Sequence, residues 1–262
     1  MRGALPRRRS IRPARACAAD VPQAPVTILD AFPVARKWPP RFPDRLQLYT
    51  LGTPNGIKVA VMLEEIGLPY EAHRVSFDDK DQYSPEFTAL NPNNRIPAII
   101  DPRGPDGTPL PLFESGAILW YLGEKTGQLI PKDASLRYTT LQWLMFQMGN
   151  VGPMFGQVGF FNHFAGREWA DKRPLDRYIA ESRRLLQVLE GVLADRRWIM
   201  GEDYTVADVA TFPWIDHLVT YYQAAELLKY SELTHVRRAT QQFLERPAVI
   251  KGMQVPRRAA AR

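Results

Sequence analysis

The stretch "NNRIPAIID" (residues 93–101) decides how the chain is read. Its apolar run reads as a strand over 96–101, yet a proline sits near its start. Proline cannot join a sheet ladder through nitrogen, so it belongs at an edge or an irregular entry. Two readings stay open. In one, Pro97 is trans and the strand is an edge. In the other, a cis Ile96–Pro97 bond exposes the backbone of Ile96 to pair with an extended, peptide-like ligand.

Upstream of it, "LQLYTL" (46–51) reads as a strand and "NGIKVAVMLEEIG" as a helix. Val59, Met62, Leu63 and Ile66 follow the spacing of one buried face. Lys58 and Glu65, one heptad apart, are expected to face water. Gly67 ends the helix and Pro69 prevents its continuation. "YEAHRVSF" (70–77) reads as a second strand and "SPEFTALNP" as a helical turn. Downstream, "GPDGT" carries an Asp-Gly hairpin signal, and "LPLFE" (110–114) reads as the returning strand. "SGAILWYLGEKTG" starts a helix at Ser115 that ends near Gly127. The order over 46–130 is therefore βαβαββα.

From Ala134 to about 253 the pattern is helical only. Leu141, Leu144, Met145 and Met148 form one stripe. Ile179, Leu186, Leu189 and Leu193 form a longer one, with Leu185, Val188 and Val192 beside it and Pro174 in the first turn. "TVAD" (205–208) matches the capping box, Thr205 and Asp208 bonding reciprocally. Strands in one half and helices in the other imply two packed units. Residues 22–43 hold six prolines and read as an extended arm, so that the body begins near Leu46 and residues 1–45 are tail and arm.

The net charge of +6 is a property of the ends. Residues 1–19 carry six arginines and no acid, and "VPRRAAAR" closes the chain in a basic tail (254–262). The remainder after residue 19 holds as many acids as bases, which argues against a nucleic-acid face. No apolar run is long enough to span a membrane. The Arg-rich start has the look of an organellar transit peptide; the plainer reading is an unstructured N-terminus on a cytoplasmic protein. The single cysteine, Cys17, lies in that segment, so an intrachain disulfide is impossible. Thiol chemistry here would need a sulfur from a ligand.

Three short motifs carry chemistry. In "TPNG" (53–56), Asn55 either caps the helix or joins Thr53 and the free helix N–H groups in holding a thiolate. In "FESGAIL", Ser115 either caps a helix or takes the carboxylate of a free amino acid, while Glu114 takes its ammonium. "NNRIPAIID" offers backbone. His73, His163, His217 and His235 fall in different elements without metal-ligand spacing, and no metal is expected. The aromatic run Phe155, Phe160, Phe161 and Phe164 reads as core or as the wall of a second-substrate pocket.

Together, "NNRIPAI", "LFESGAIL" and "YTVADVATFPW" make residues 46–253 resemble a cytosolic glutathione transferase: an α/β thioredoxin-like domain followed by an all-α domain. "TPNGIKV", "ESGAILWYL", "MGNVGPMFGQ" and "ERPAV" resemble its bacterial nu-class and yeast nitrogen-regulator-like branch. That branch implies glutathione-dependent disulfide reduction without a catalytic Tyr, Ser or Cys. The resemblance places Thr53 and Asn55 at the glutathione sulfur, Ile96 before a cis Pro97 at its cysteinyl part, and Glu114 and Ser115 at its γ-glutamyl end. It adds Gln82, Arg95 and Arg177 as glutathione contacts. It implies a homodimer, with reduced or oxidised glutathione and a small disulfide as partners. Conjugation to electrophiles, or a non-enzymatic binding module on the same fold, are the alternatives.

Overall fold

The computed structural model describes residues 28–256; Cys17, the Arg-rich start and the end of the basic tail lie outside them. The first half carries α1 (Val34–Lys37), β1 (Leu46–Thr50), α2 (Pro54–Glu65), β2 (Tyr70–Arg74), α3 (Pro85–Leu90), β3 (Ala98–Asp101), β4 (Leu110–Phe113) and α4 (Ser115–Thr126). The second carries α5 (Ala134–Phe146), a π-helical turn (Gln147–Val151), α6 (Gly152–Asn162), α7 (Arg173–Val192), α8 (Val206–Thr220), α9 (Thr234–Leu244) and α10 (Pro247–Gly252). The βαβαββα order from Leu46 and the helical second half are as the sequence implies.

The sheet runs β2-β1-β3-β4, with β1 and β2 parallel and the other pairs antiparallel. Its two faces follow the period of two along each strand. Leu46, Leu48 and Ile99 face a large core shared with α2 and the helical half. Tyr49, Ala98 and Ile100 face a smaller core with Val75 and Phe87. The proline-rich arm is not extended throughout, as the sequence suggested. Residues Ile28–Ala31 form a 3-10 turn and Val34–Lys37 a short helix. Leu29 and Val34 are buried in the smaller core, so apolar burial outweighs the prolines there.

The water-facing placement of Lys58 and Glu65 is corrected. α2 packs against α4, α8 and α10 as well as the sheet, and every residue from Gly56 to Leu63 is buried. Lys58 is completely inaccessible. Glu65 forms a two-pronged ion pair with Arg246, at 2.6 and 2.8 Å. A single-domain reading gives α2 one apolar face; the second domain covers the other.

The α5 stripe is also corrected. Met145 is 51% exposed, and the buried row runs Thr140, Leu144, Gln147, Val151. That row keeps the ordinary helical spacing into the π turn, and it carries a threonine and a glutamine that an apolar count passes over. The capping box of α8 forms as expected, with the Asp208 carboxylate accepting from the Thr205 N–H at 2.8 Å.

Gly56 serves close approach, not the unusual backbone angle of a turn, for it lies inside α2. A Cβ there would sit 2.0 Å from the Leu51 carbonyl oxygen and 2.4 Å from Thr50 Oγ1. Gly56→Ala is expected to cost stability at the upper end of about 1–3 kcal/mol, read from the urea midpoint. Gly191→Ala, where an added Cβ meets nothing, is the control. It is expected to raise stability by about 0.5–1 kcal/mol.

Candidate functional site

Thr53 begins α2 in an extended conformation, Pro54 occupies its first turn, and no side chain caps it. Asn55 is therefore not the cap. The backbone N–H groups of Asn55 and Gly56 find no acceptor among the described residues, leaving two donors at the positive end of the helix. The Thr53 hydroxyl likewise makes no hydrogen bond there. The Asn55 side chain reaches across to the helical half: its Oδ1 accepts from Trp214 Nε1 at 3.0 Å. Indole is only a donor, so this bond fixes which end of the amide is oxygen. Nδ2 is left as an oriented donor.

Asn55 and Glu114 line a cavity of about 420 Å³ between the two halves, together with Lys58, Gln147, Met148 and Trp214. Gly152, Pro153, Gly156 and Gln157 from the start of α6 complete it. Phe155 is fully buried core, and none of Phe155, Phe160, Phe161 or Phe164 lines this cavity. A larger cavity of about 520 Å³, lined by residues including Asp216, Tyr230 and Arg237, holds none of the residues expected from sequence.

Glu114 precedes α4 with φ 69° and ψ 111°. A non-glycine residue held at positive φ costs about 1–3 kcal/mol and is found where position matters more than ease. Ser115 is the first residue of α4, not its cap, and is buried. Its Oγ accepts from Lys58 Nζ at 3.3 Å. Lys58 also donates to Gln147 Oε1 at 2.6 Å and lies 3.6 Å from Met148 Sδ. Burial pushes the Lys58 ammonium down to about 7, partly opposed by the field of Glu114.

The Ile96–Pro97 bond is cis and β3 is an inner strand, so the trans, edge-strand reading of "NNRIPAIID" is set aside. β3 starts only at Ala98, after the proline. The loop before it is set by Asn91, whose Nδ2 donates to the Arg95 carbonyl at 2.6 Å and whose Oδ1 accepts from Asn93 N–H at 2.9 Å. The N–H and C=O of Ile96 make no hydrogen bond among the described residues. Gln82, in a 3-10 turn, is buried with its Oε1 unpartnered, a group ready for a donor from outside the chain. The Arg95 and Arg177 side chains are exposed. Thr53, Gln82, Arg95, Ile96, Pro97, Ser115 and Arg177 are not among the residues lining the 420 Å³ cavity.

Sequence reasoning gave no role to Lys58, Gln147 or Trp214. Lys58 does lie one turn beyond Asn55, at the i, i+3 spacing that shares a helix face. Gln147 and Trp214 belong to segments far along the chain, and no local signal links them to Asn55 or Ser115. Among the described residues no cluster of His, Cys, Asp and Glu is suited to a metal, and no helix is long and apolar enough to cross a membrane.

Comparison with known proteins fits this geometry. Residues 45–124 match the family model of the glutathione S-transferase N-terminal domain, and residues 157–247 that of the C-terminal domain. The chain is 41% identical over 222 residues to the disulfide-bond oxidoreductase YghU of Escherichia coli, covering 81% of this chain and 75% of that one. It is similar to the crystal structure of a glutathione transferase from Burkholderia graminis with two glutathione molecules bound per subunit. The TM-score is 0.87 at 62% identity, covering 88% of this chain and 96% of that one. A glutathione transferase from Pseudomonas putida, with one glutathione disulfide bound per subunit, matches at TM-score 0.86 and 61% identity over 87% and 99% of the two chains.

Proposed function

The chain belongs to the glutathione S-transferase family, and from that premise we propose that it reduces small disulfides with glutathione. The observation that carries this reading is the donor set at the head of α2, with Asn55 oriented by Trp214 in a body whose described residues contain no cysteine. A bound glutathione thiolate attacks one sulfur of the disulfide, whose S–S bond breaks and whose other half leaves as a thiolate. A second glutathione thiolate attacks the glutathionyl sulfur, releasing the remaining half as a thiolate. Glutathione disulfide leaves, and two electrons have passed to the substrate. The protein contributes orientation and stabilisation of negative sulfur.

The relatives support both ends of this sequence: one neighbour's structure contains two glutathione molecules and another glutathione disulfide. In this reading Thr53 and Asn55 face the sulfur and the free backbone of Ile96, before Pro97, pairs with the cysteinyl unit. Glu114 and Ser115 hold the γ-glutamyl end. Gln82, Arg95 and Arg177 complete the contacts. The exposed α5 side chains Tyr138 and Met145, two turns apart on one face, support a homodimer, for large apolar groups exposed on one face favour a protein partner. The reaction suits a reducing, glutathione-rich compartment such as the cytoplasm.

The test sets hydroxyethyl disulfide against chlorodinitrobenzene, each with glutathione. Disulfide turnover is expected to exceed conjugation. The reverse order would replace reductase by conjugating enzyme, and absence of glutathione binding in calorimetry would leave a binding module.

A further inference from the structure

Lys58 is the one lysine that the fold buries completely. Its ammonium has three neighbours, Gln147 Oε1 at 2.6 Å, Ser115 Oγ at 3.3 Å and Met148 Sδ at 3.6 Å, and all three are neutral. Among the described residues no carboxylate lies within 4 Å of it. A buried cation without a counter-ion is costly, and a protein keeps one only where something compensates. Here Lys58 lies behind the wall of the cleft, its ammonium against Ser115 at the head of α4. Ser115 Oγ accepts from Lys58 and its hydroxyl donates to the Met148 sulfur at 3.6 Å, a weak acceptor that an anion brought against the head of α4 displaces.

We propose that Lys58 is a positioning residue for glutathione. In this arrangement the γ-glutamyl carboxylate is the missing counter-ion, reached through Ser115, and binding draws a proton into the protein. The inference rests on the placement of that carboxylate at Ser115 given under the proposed function. Two hydrogen bonds separate the charges, about 6 Å, a distance at which an opposite charge favours the ionised lysine.

The surroundings leave few competing groups. Among the described residues Glu114, at the head of α4, acts on Lys58, and its field favours the ammonium without offsetting the burial. The π turn presents Gln147 and Met148, and α8 presents Trp214 to the same cleft; none of these titrates. Arg246, just before α10, is paired with Glu65 two turns further along α2. In the free protein burial holds Lys58 at about 7, so above neutrality it is largely uncharged. A bound carboxylate raises it, and the proton comes from solvent. The favourable pairing is present at low pH and fades as pH rises through the bound-state value.

The experiment is calorimetric titration with S-methylglutathione, which has no thiol to release a proton, in phosphate and Tris at the higher pH and in acetate and MES at the lower. The wild type is expected to take up about 0.7 proton per site near pH 7.5 and about none near pH 5.5. Lys58→Met is expected to lose that uptake and most of the pH dependence of Kd. Lys58→Arg keeps a permanent cation and is expected to bind without uptake. Binding by the wild type with no uptake, or with uptake unchanged in Lys58→Met, overturns the proposal and leaves the glutathione site standing. Failure of S-methylglutathione to bind overturns both. If neither variant folds, the wild-type pH series alone decides.

Discussion

Asn55→Ala is expected to lower kcat/KM for glutathione-dependent disulfide reduction by about 10- to 100-fold. That is the rate equivalent of about 1.5–3 kcal/mol for a hydrogen bond to a charged acceptor. The loss is expected in turnover, while affinity for S-methylglutathione, which bears no thiolate, changes little. The reason is geometric. Trp214 Nε1 holds Oδ1 at 3.0 Å, so the amide presents nitrogen, not oxygen, to a nearby anion. Asn55→Asp keeps the bond to Trp214 but replaces the donor by a negative charge, and its loss is expected to exceed that of alanine. Trp214→Phe frees the amide to turn either way, with a smaller loss. Full activity in Asn55→Ala would remove the side chain from the mechanism.

Asp208→Ala is expected to cost about 3–5 kcal/mol of stability, the largest effect outside the cleft. The carboxylate is fully buried. It accepts from the Ile199 N–H at 2.9 Å, the Thr205 N–H at 2.8 Å and the Thr205 hydroxyl at 3.2 Å. Alanine leaves two buried backbone donors without acceptors and removes half of the capping box. α8 also carries Trp214, so fraying at its start reaches Asn55 through the helix. Asp208→Asn retains one acceptor and turns its amide donors toward a backbone donor, giving an intermediate loss. The midpoint of urea unfolding measures all three chains. An Asp208→Ala midpoint equal to wild type would show that the box adds nothing.

What the sequence made legible was local. The Asp-Gly signal found the β3–β4 turn, Gly67 and Gly127 found the ends of α2 and α4, and "TVAD" found the start of α8, because each depends on residues a few positions apart. What stayed hidden depends on contacts across the chain. Lys58 looks like a solvent-facing lysine until Ser115 and Gln147, 57 and 89 residues later, close over it. Asn55 looks like a cap until Trp214, 159 residues later, takes its oxygen. The inward row of α5 carries polar Thr140 and Gln147, so a count of apolar residues alone chose the neighbouring row that holds the exposed Met145. The arm shows proline's local preference yielding to burial of Leu29 and Val34.

The central claim is that the reacting sulfur belongs to the ligand. Its most direct test is reduction of hydroxyethyl disulfide by glutathione with a Cys17→Ser chain, which contains no cysteine at all. The expected result is turnover equal to wild type, with one glutathione disulfide formed for each disulfide reduced. Loss of turnover on removing Cys17 would contradict it.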